Sequence, residues 1–151
     1  MSKDLKQQLQ QACVEYVRTR IERIELAIKD LEDALKLETK CSMGDKYETG
    51  RAMLHLEFEK LSGQHAEFLK LRQTLKMLDP GQASETVRFG SLIKTTKANY
   101  FIAIPAGELI LGEEKFYAIG TGAPIATALM GKKVGDDVTF NSQVLHIDKV
   151  I

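Results

Sequence analysis

The fold of this chain is decided by residues 17–35, which read VRTRIERIELAIKDLEDAL. Apolar residues recur in this stretch at alternating steps of four and three, at Val17, Ile21, Ile24, Ile28, Leu31 and Leu35. This alternation is the roughly 3.5-residue period of a coiled-coil seam. Apolar spacing extends back to Leu5, and neither Pro nor Gly interrupts the chain from Leu5 to Lys40. We therefore predict one long amphipathic helix over residues 5–40.

A second periodic stretch follows a break at residues 41–45, which read CSMGD. His65 and Arg72 stand at seam positions of this stretch, where we expect them to snorkel or to fix the register and not to bind a ligand. Asp79-Pro80-Gly81 ends the predicted helix. Two long helices joined by a short Gly-containing turn predict an antiparallel helical hairpin. The seam positions of the second helix are Leu54, Phe58, Leu61, His65, Phe68, Arg72 and Leu75.

The second half of the chain has a different pattern. Short β-branched or aromatic runs are separated by Gly, Pro, Asn and Asp, which is typical of a small antiparallel sheet. Pro124 and Gly131 frame a two-turn helix, with Pro at its first position and Gly at its C-terminal end. We predict an α+β protein with a coiled-coil hairpin at 1–79 and a sheet domain at 80–151. The predicted strands are 86–89, 91–94, 100–104, 116–119, 137–140 and 144–147, with a further candidate at 108–111.

Charge and composition exclude several classes of function. The 151 residues contain 21 Lys plus Arg and 21 Asp plus Glu, so the formal net charge is zero. A neutral chain is a poor candidate for independent DNA binding, whose affinity comes from neutralising phosphates. The apolar runs are too short to span a membrane, and the N-terminus opens no signal peptide, so we expect a cytoplasmic protein without a membrane partner.

The two cysteines, Cys13 and Cys41, do not suggest a disulfide. On one helix they would stand about 42 Å apart, which no internal disulfide can bridge. We interpret both as small, partly buried apolar residues in a reducing compartment.

The candidate functional residues lie within 44–51, which read GDKYETGR. On a helix, Asp45 and Glu48 share one face, and two carboxylates together can bind Mg²⁺ through oxygen. Two side chains do not hold Mg²⁺ tightly, so a partner would supply the other ligands. The same spacing also fits a capping box, with Asp45 at the N-cap and Glu48 at N3. No nucleophile elbow, Walker loop, dinucleotide fingerprint or zinc spacing occurs in the sequence, so we do not expect a free-standing enzyme.

The order of these parts resembles the bacterial Gre transcript-cleavage factors, transcription elongation factors of the GreA/GreB type. Residues 44–48 (GDKYE) are similar to the acidic tip of that family. Residues 122–138 (GAPIATALMGKKVGDDV) are similar to its C-terminal signature, and residues 144–150 (VLHIDKV) to its last strand. The resemblance covers nearly the whole chain.

The resemblance implies a coiled coil with an acidic tip near 42–50, followed by an FKBP-like domain. It implies docking on bacterial RNA polymerase and insertion of the hairpin into the secondary channel, towards the 3′ end of the nascent RNA. Asp45 and Glu48 would there hold a Mg²⁺ ion jointly with the polymerase, and the isolated protein would not bind it. The protein would thus stimulate the polymerase's own cleavage of backtracked RNA. Lys46 and Arg51 are candidates for contacts with RNA phosphate.

Three rival functions remain open. The first rival is a Gre-like paralogue that binds polymerase and inhibits or regulates it without cleavage. It is suggested by a departure from the family pattern: after Glu48 the family usually continues Asn-Ala-Glu-Tyr, whereas this chain has Thr49-Gly50-Arg51-Ala52. Residues 128–136 (ALMGKKVGD) also resemble FKBP-type peptidyl-prolyl isomerases, although the chain lacks the Trp that commonly floors their proline pocket. The third rival is a pure coiled-coil interaction protein.

Overall fold

The computed structural model describes the backbone of residues 2–40 and 44–151, and the side chains of 4–37 and 49–151. Contacts divide the chain into two compact units. The helical unit is Val17–Arg72, and the globular unit comprises Met1–Tyr16 and Gln73–Ile151. This division follows contacts and not chain order, so the predicted domain boundary near residue 80 stays a prediction.

Two long helices form the N-terminal half, as predicted. Helix α1 spans Ser2–Lys40 (39 residues), and α2 spans Gly44–Lys76 (33 residues). In the helical unit, Val17, Ile21 and Ile24 are buried. Further along, the seam residues are half-buried, because a two-helix hairpin has a single seam and no third layer to cover it. These half-buried residues are Ile28, Leu31, Leu35, Leu54, Phe58, Leu61 and Phe68.

The two polar residues predicted at seam positions differ in their surroundings. His65 Nε2 lies 3.2 Å from Glu25 Oε2, so this side chain joins α2 to α1 across the seam. Its side chain is 25% exposed. Arg72 is exposed, and Leu71 beside it is half-buried instead.

The globular unit contains a mixed sheet and a short helix. Within the described residues the sheet has six strands in the order β3-β4-β2-β1-β6-β5. Four of its neighbouring pairs are antiparallel, and β2–β4 is parallel. The expectation of a purely antiparallel sheet is corrected at this pair. β4 lies between β2 and its own hairpin partner β3, and it runs parallel to β2. The elements are β1 Leu92–Thr95, β2 Asn99–Ala103, β3 Gly107–Leu111, β4 Glu114–Gly120, α3 Pro124–Leu129, β5 Asp137–Phe140 and β6 Gln143–Val150.

The prediction of a strand at 86–89 is wrong. Thr86 forms an isolated bridge with Lys133, and this bridge belongs to none of the six strands. Val87 is buried; its N–H donates to Lys132 O at 2.8 Å, and its carbonyl accepts from Gly131 N–H at 2.9 Å. The apolar pattern that suggested a strand therefore belongs to a loop packed against the end of α3.

Two other local predictions are confirmed. Residues 108–111 do form most of β3. Helix α3 has Pro124 in its first turn, and Gly131 follows its C-terminal end with φ +78°. This left-handed conformation favours Gly, which explains why the short helix ends there.

The sheet is covered on both faces. One face packs against α3, and its buried cluster comprises Val87, Ile93, Ile102, Ala126, Leu129, Val138, Leu145 and Ile147. Side chains alternate between the faces of a strand. The neighbouring residues Leu92 and Phe101 therefore point to the opposite face, where they are also fully buried. Leu9 and Cys13 of α1 are fully buried in the same unit. No described helix is both long and apolar enough to cross a membrane.

Candidate functional site

The predicted acidic pair lies at the start of α2. This helix begins at Gly44, so Asp45 and Glu48 belong to its first turns. Residues 41–43 lie outside the described residues, so the capping box with Asp45 at the N-cap stays a prediction beside the metal site. The side chains of Asp45, Lys46 and Glu48 lie outside the described residues, so their role in binding metal or RNA stays a prediction.

The contact between Glu25 and His65 joins the two helices of the helical unit. These residues are separated by 40 positions, so residue 45 lies midway between them along the chain. Counted from the helix ends, Glu25 lies 15 residues before Lys40 of α1, and His65 lies 21 residues after Gly44 of α2. The contact therefore joins the two helices without placing their turn at Asp45. At about 1.5 Å per residue, Asp45 lies about 30 Å along α2 from His65.

The flanking residues of the acidic segment are partly described. Thr49 is exposed, while Gly50 and Arg51 are half-buried on α2. Among the side chains of 4–37 and 49–151, no group of three or more His, Cys, Asp or Glu is arranged to hold a metal ion. The predicted Mg²⁺ ligands fall outside that range.

Cys13 behaves as an apolar core residue. It is a free thiol with no exposed surface, and burial raises its pKa to about 12. A thiol held neutral in this way is a poor nucleophile. The interpretation of Cys13 as a small apolar residue is confirmed, and Cys41 lies outside the described residues.

Four aromatic residues of the globular unit pack in its core or against each other. Phe101 and Phe116 are fully buried in the core. Tyr100 and Tyr117 contact each other, with ring centroids 6.1 Å apart. Burial raises the pKa of Tyr100, and the neighbouring Tyr117 adds to this effect. A cleft of about 470 Å³ beside Tyr117 is otherwise lined by Thr, Lys, Asn and Ala residues of 95–99 and by Lys115. This polar lining does not favour proline recognition by an isomerase.

The sequence analysis missed one buried charged residue, Lys6. Lys6 is only 4% exposed, and its Nζ donates a hydrogen bond to Gln82 O at 3.0 Å. A Lys in the first turns of an amphipathic helix is normally assigned to the solvated face. The available signal was its spacing, because steps of three, four and four join Lys6 to Leu9, Cys13 and Val17 along one buried stripe. Lys6 lines a cleft of about 190 Å³ together with Asp79 and Arg88.

The fold thus defines an α+β protein with a helical hairpin and a mixed-sheet globular unit. No protein-family model matches the chain, and no curated protein matches it. A solved structure described as "Structure of the transcription factor Gfh1" is similar over 90% of this chain and 91% of that chain, with 17% identity and a TM-score of 0.34. At this identity and TM-score the similarity does not assign a family, which stays a resemblance carried by residues 44–48, 122–138 and 144–150.

Proposed function

We propose that the chain is a Gre-type transcription elongation factor. In this proposal it binds bacterial RNA polymerase, inserts its helical unit into the secondary channel and stimulates Mg²⁺-dependent cleavage of backtracked RNA. The observation that carries the proposal is the position of the Gly-Asp-x-x-Glu segment in the first turns of α2, the helix that His65 joins to Glu25 of α1. The resemblance of residues 122–138 to the C-terminal signature of the family adds independent support.

The form of the helical unit fits a role outside free-standing catalysis. The part of α1 from Val17 to Lys40 is about 36 Å long at about 1.5 Å per residue. Its seam residues become half-buried towards the acidic segment, so two helices alone build no enclosed interior there. A narrow two-helix element of this kind suits insertion into a channel, where a larger partner supplies the enclosing walls.

The donor chemistry of the acidic pair fits Mg²⁺. Carboxylate oxygens are the protein ligands that Mg²⁺ prefers, and near-octahedral coordination requires more ligands than Asp45 and Glu48 provide. The remaining ligands would come from the polymerase and from water. Bound there, the ion supplies charge neutralisation and an activated water for phosphodiester hydrolysis. The chain's own contribution is to hold two carboxylates in position, with Lys46 and Arg51 as candidate partners of the RNA phosphates.

A second candidate function is polymerase binding without cleavage. Gly50 lies inside α2, five residues after Asp45, and Gly within a helix costs about 1 kcal/mol relative to Ala. A helix weakened in its second turn positions the carboxylates less firmly, and catalytic positioning is sensitive to small displacements. Gly50 therefore favours an inhibitory or regulatory paralogue as the second candidate, ahead of the isomerase and the pure interaction protein.

The deciding experiment uses a purified backtracked elongation complex with Mg²⁺, with and without the full-length protein. The proposal expects prompt shortening of the RNA with wild type and none with Asp45→Asn or Glu48→Gln. Asp33→Asn and Glu57→Gln are matched controls, because they make the same changes at exposed positions of α1 and α2. Both controls should cleave like wild type.

Polymerase binding is measured in parallel, so that the candidate functions can be distinguished from one another. Binding of wild type without shortening would support the non-cleaving paralogue and contradict the proposal. Absence of binding would favour a pure interaction protein. Turnover of a proline peptide by the full chain would instead support the isomerase.

A further inference from the structure

The cleft beside Lys6 lies within the globular unit, between the first turns of α1 and the segment 77–91. Its volume is about 190 Å³. Pockets for drug-sized ligands measure roughly 300–1,000 Å³, so this cleft has room for a small ion or one chemical group. Polar and charged residues dominate its lining, among them Lys6, Asp79, Ser84, Arg88 and Ser91.

Lys6 brings an incompletely compensated positive charge to this cleft. Among the described residues, its ammonium donates one hydrogen bond, to the neutral carbonyl of Gln82. An ammonium has three hydrogens to donate, so two remain. Burial and the positive charge of Arg88 lower the pKa of Lys6, against an opposing effect of Asp79. The charged form of Lys6 therefore gains from any anion that enters.

Arg88 supplies a second cation on a fixed backbone. The backbone N–H of Arg88 donates to Ser91 Oγ at 3.0 Å, and the backbone carbonyl of Arg88 accepts from the Ser91 N–H at 3.0 Å. The Arg88 side chain itself is exposed at the lining of the cleft. A guanidinium presents a planar set of donors that matches the oxygens of a phosphate.

Asp79 is the acidic member of the lining, and its charge would disfavour an anion. One of its carboxylate oxygens, Oδ1, accepts a hydrogen bond from the Gly81 N–H at 3.0 Å. Two cations face this single carboxylate in the lining, so the cleft retains one formal positive charge.

We propose that this cleft binds an oxyanion of the phosphate class, with Lys6 and Arg88 as its cationic ligands and the hydroxyls of Ser84 and Ser91 in the lining. The source of the oxyanion is either inorganic phosphate or the phosphate of a nucleotide. Phe89 also lines the cleft, and an apolar contact with it would favour a base in the second case. The site uses no residue of the acidic segment and is independent of the proposed function.

The test is titration of the full-length protein with inorganic phosphate, followed by calorimetry and by amide chemical shifts. Potassium chloride keeps the ionic strength constant, because general screening would otherwise mimic weak binding. The expected result is saturable binding, with shifts grouped around Lys6 and residues 88–91. Bound phosphate should also raise the thermal midpoint in proportion to the logarithm of its concentration above the Kd.

Arg88→Gln should weaken phosphate binding by about tenfold or more, since a hydrogen bond to a charged group is lost. Because the Arg88 side chain is exposed, the variant should fold like wild type, and circular dichroism checks this. Arg23→Gln is the matched control, because it makes the same substitution at an exposed position of the helical unit, and it should bind like wild type. Lys6→Met tests the buried ligand in the same way.

A nucleoside monophosphate forms the second arm of the titration. Tighter binding than that of inorganic phosphate, lost with Arg88→Gln, would assign the nucleotide as the source. Equal binding would assign the free ion. Absence of saturable binding in both arms, or equal binding by Arg88→Gln and wild type, would overturn the proposal.

Discussion

Replacing Gly63 by Ala should stabilise the protein by about 1 kcal/mol. Gly63 lies in the interior of α2 and is exposed, and a Cβ built there meets nothing within 4 Å. The substitution therefore adds no steric conflict. It removes backbone freedom from the unfolded chain and improves helix propensity, which together account for the magnitude.

The size of the shift in melting temperature depends on which part of the chain unfolds together. With about 2.1 cal/mol/K of unfolding entropy per residue, 1 kcal/mol corresponds to about 3 °C if the whole chain unfolds as one. It corresponds to about 8 °C if the helical unit Val17–Arg72 unfolds by itself. Differential scanning calorimetry of wild type and Gly63→Ala measures both the shift and the number of transitions.

Gly131→Ala is the matched control with the opposite expected sign. A Cβ at Gly131 also meets nothing within 4 Å, but its φ is +78°. Left-handed backbone costs a residue with a side chain roughly 1–2 kcal/mol, so this variant should melt at a lower temperature. A destabilised Gly63→Ala, or a stabilised Gly131→Ala, would contradict the assignment of these backbone conformations.

Three further predictions concern single side chains. Cys13 should resist alkylation at pH 8 until the protein is unfolded by denaturant, because it is buried with a pKa of about 12; rapid labelling of the native protein at Cys13 would refute this. Asp137→Asn should lower the pKa of His146, since the 2.7 Å hydrogen bond that the protonated His146 Nδ1 donates to Asp137 Oδ1 is the main cause of its raised value. The stabilisation from this pair is present below the ordinary His pKa of about 6.5 and is lost as the pH rises through the raised pKa. NMR titration of the His146 ring in wild type and variant measures the pKa, and an unchanged pKa in the variant would disprove the prediction. Leu129→Ala should lower the free energy of unfolding by about 2–5 kcal/mol, measured with urea, because Leu129 is fully buried between α3 and the sheet. A decrease below about 1 kcal/mol would contradict that packing.

The helices were predictable because their periodic pattern is long and local. Steps of four and three over Val17–Leu35 identify one buried stripe, and the structure buries its first members most completely. The short strands were harder to predict. Val87 alternates with polar neighbours as a strand residue would, yet its backbone bonds to Gly131 and Lys132 in a loop. Only tertiary contacts distinguish the two cases.

The parallel pairing of β2 with β4 could not be read from the sequence either. The hairpin between β3 and β4 is local, with Leu111 opposite Glu114. Which strand of that hairpin pairs with β2 is a tertiary contact, and no short-range pattern encodes it.

The candidate sites illustrate the same limit. Asp45 and Glu48 are readable as a spaced pair, and the structure adds that both lie in the first turns of α2. The cleft around Lys6 joins residues more than 70 positions apart, as its bond to Gln82 shows. Such a cluster becomes visible only once the chain is folded.

The central claim is that the carboxylates of Asp45 and Glu48 act inside the polymerase. Its most direct test is the rate of RNA shortening in a backtracked complex with Mg²⁺, compared between wild type and Asp45→Asn at equal occupancy of the polymerase. The account predicts shortening with wild type and its loss in the variant. Equal shortening by both proteins, or occupancy by wild type without any shortening, would contradict it.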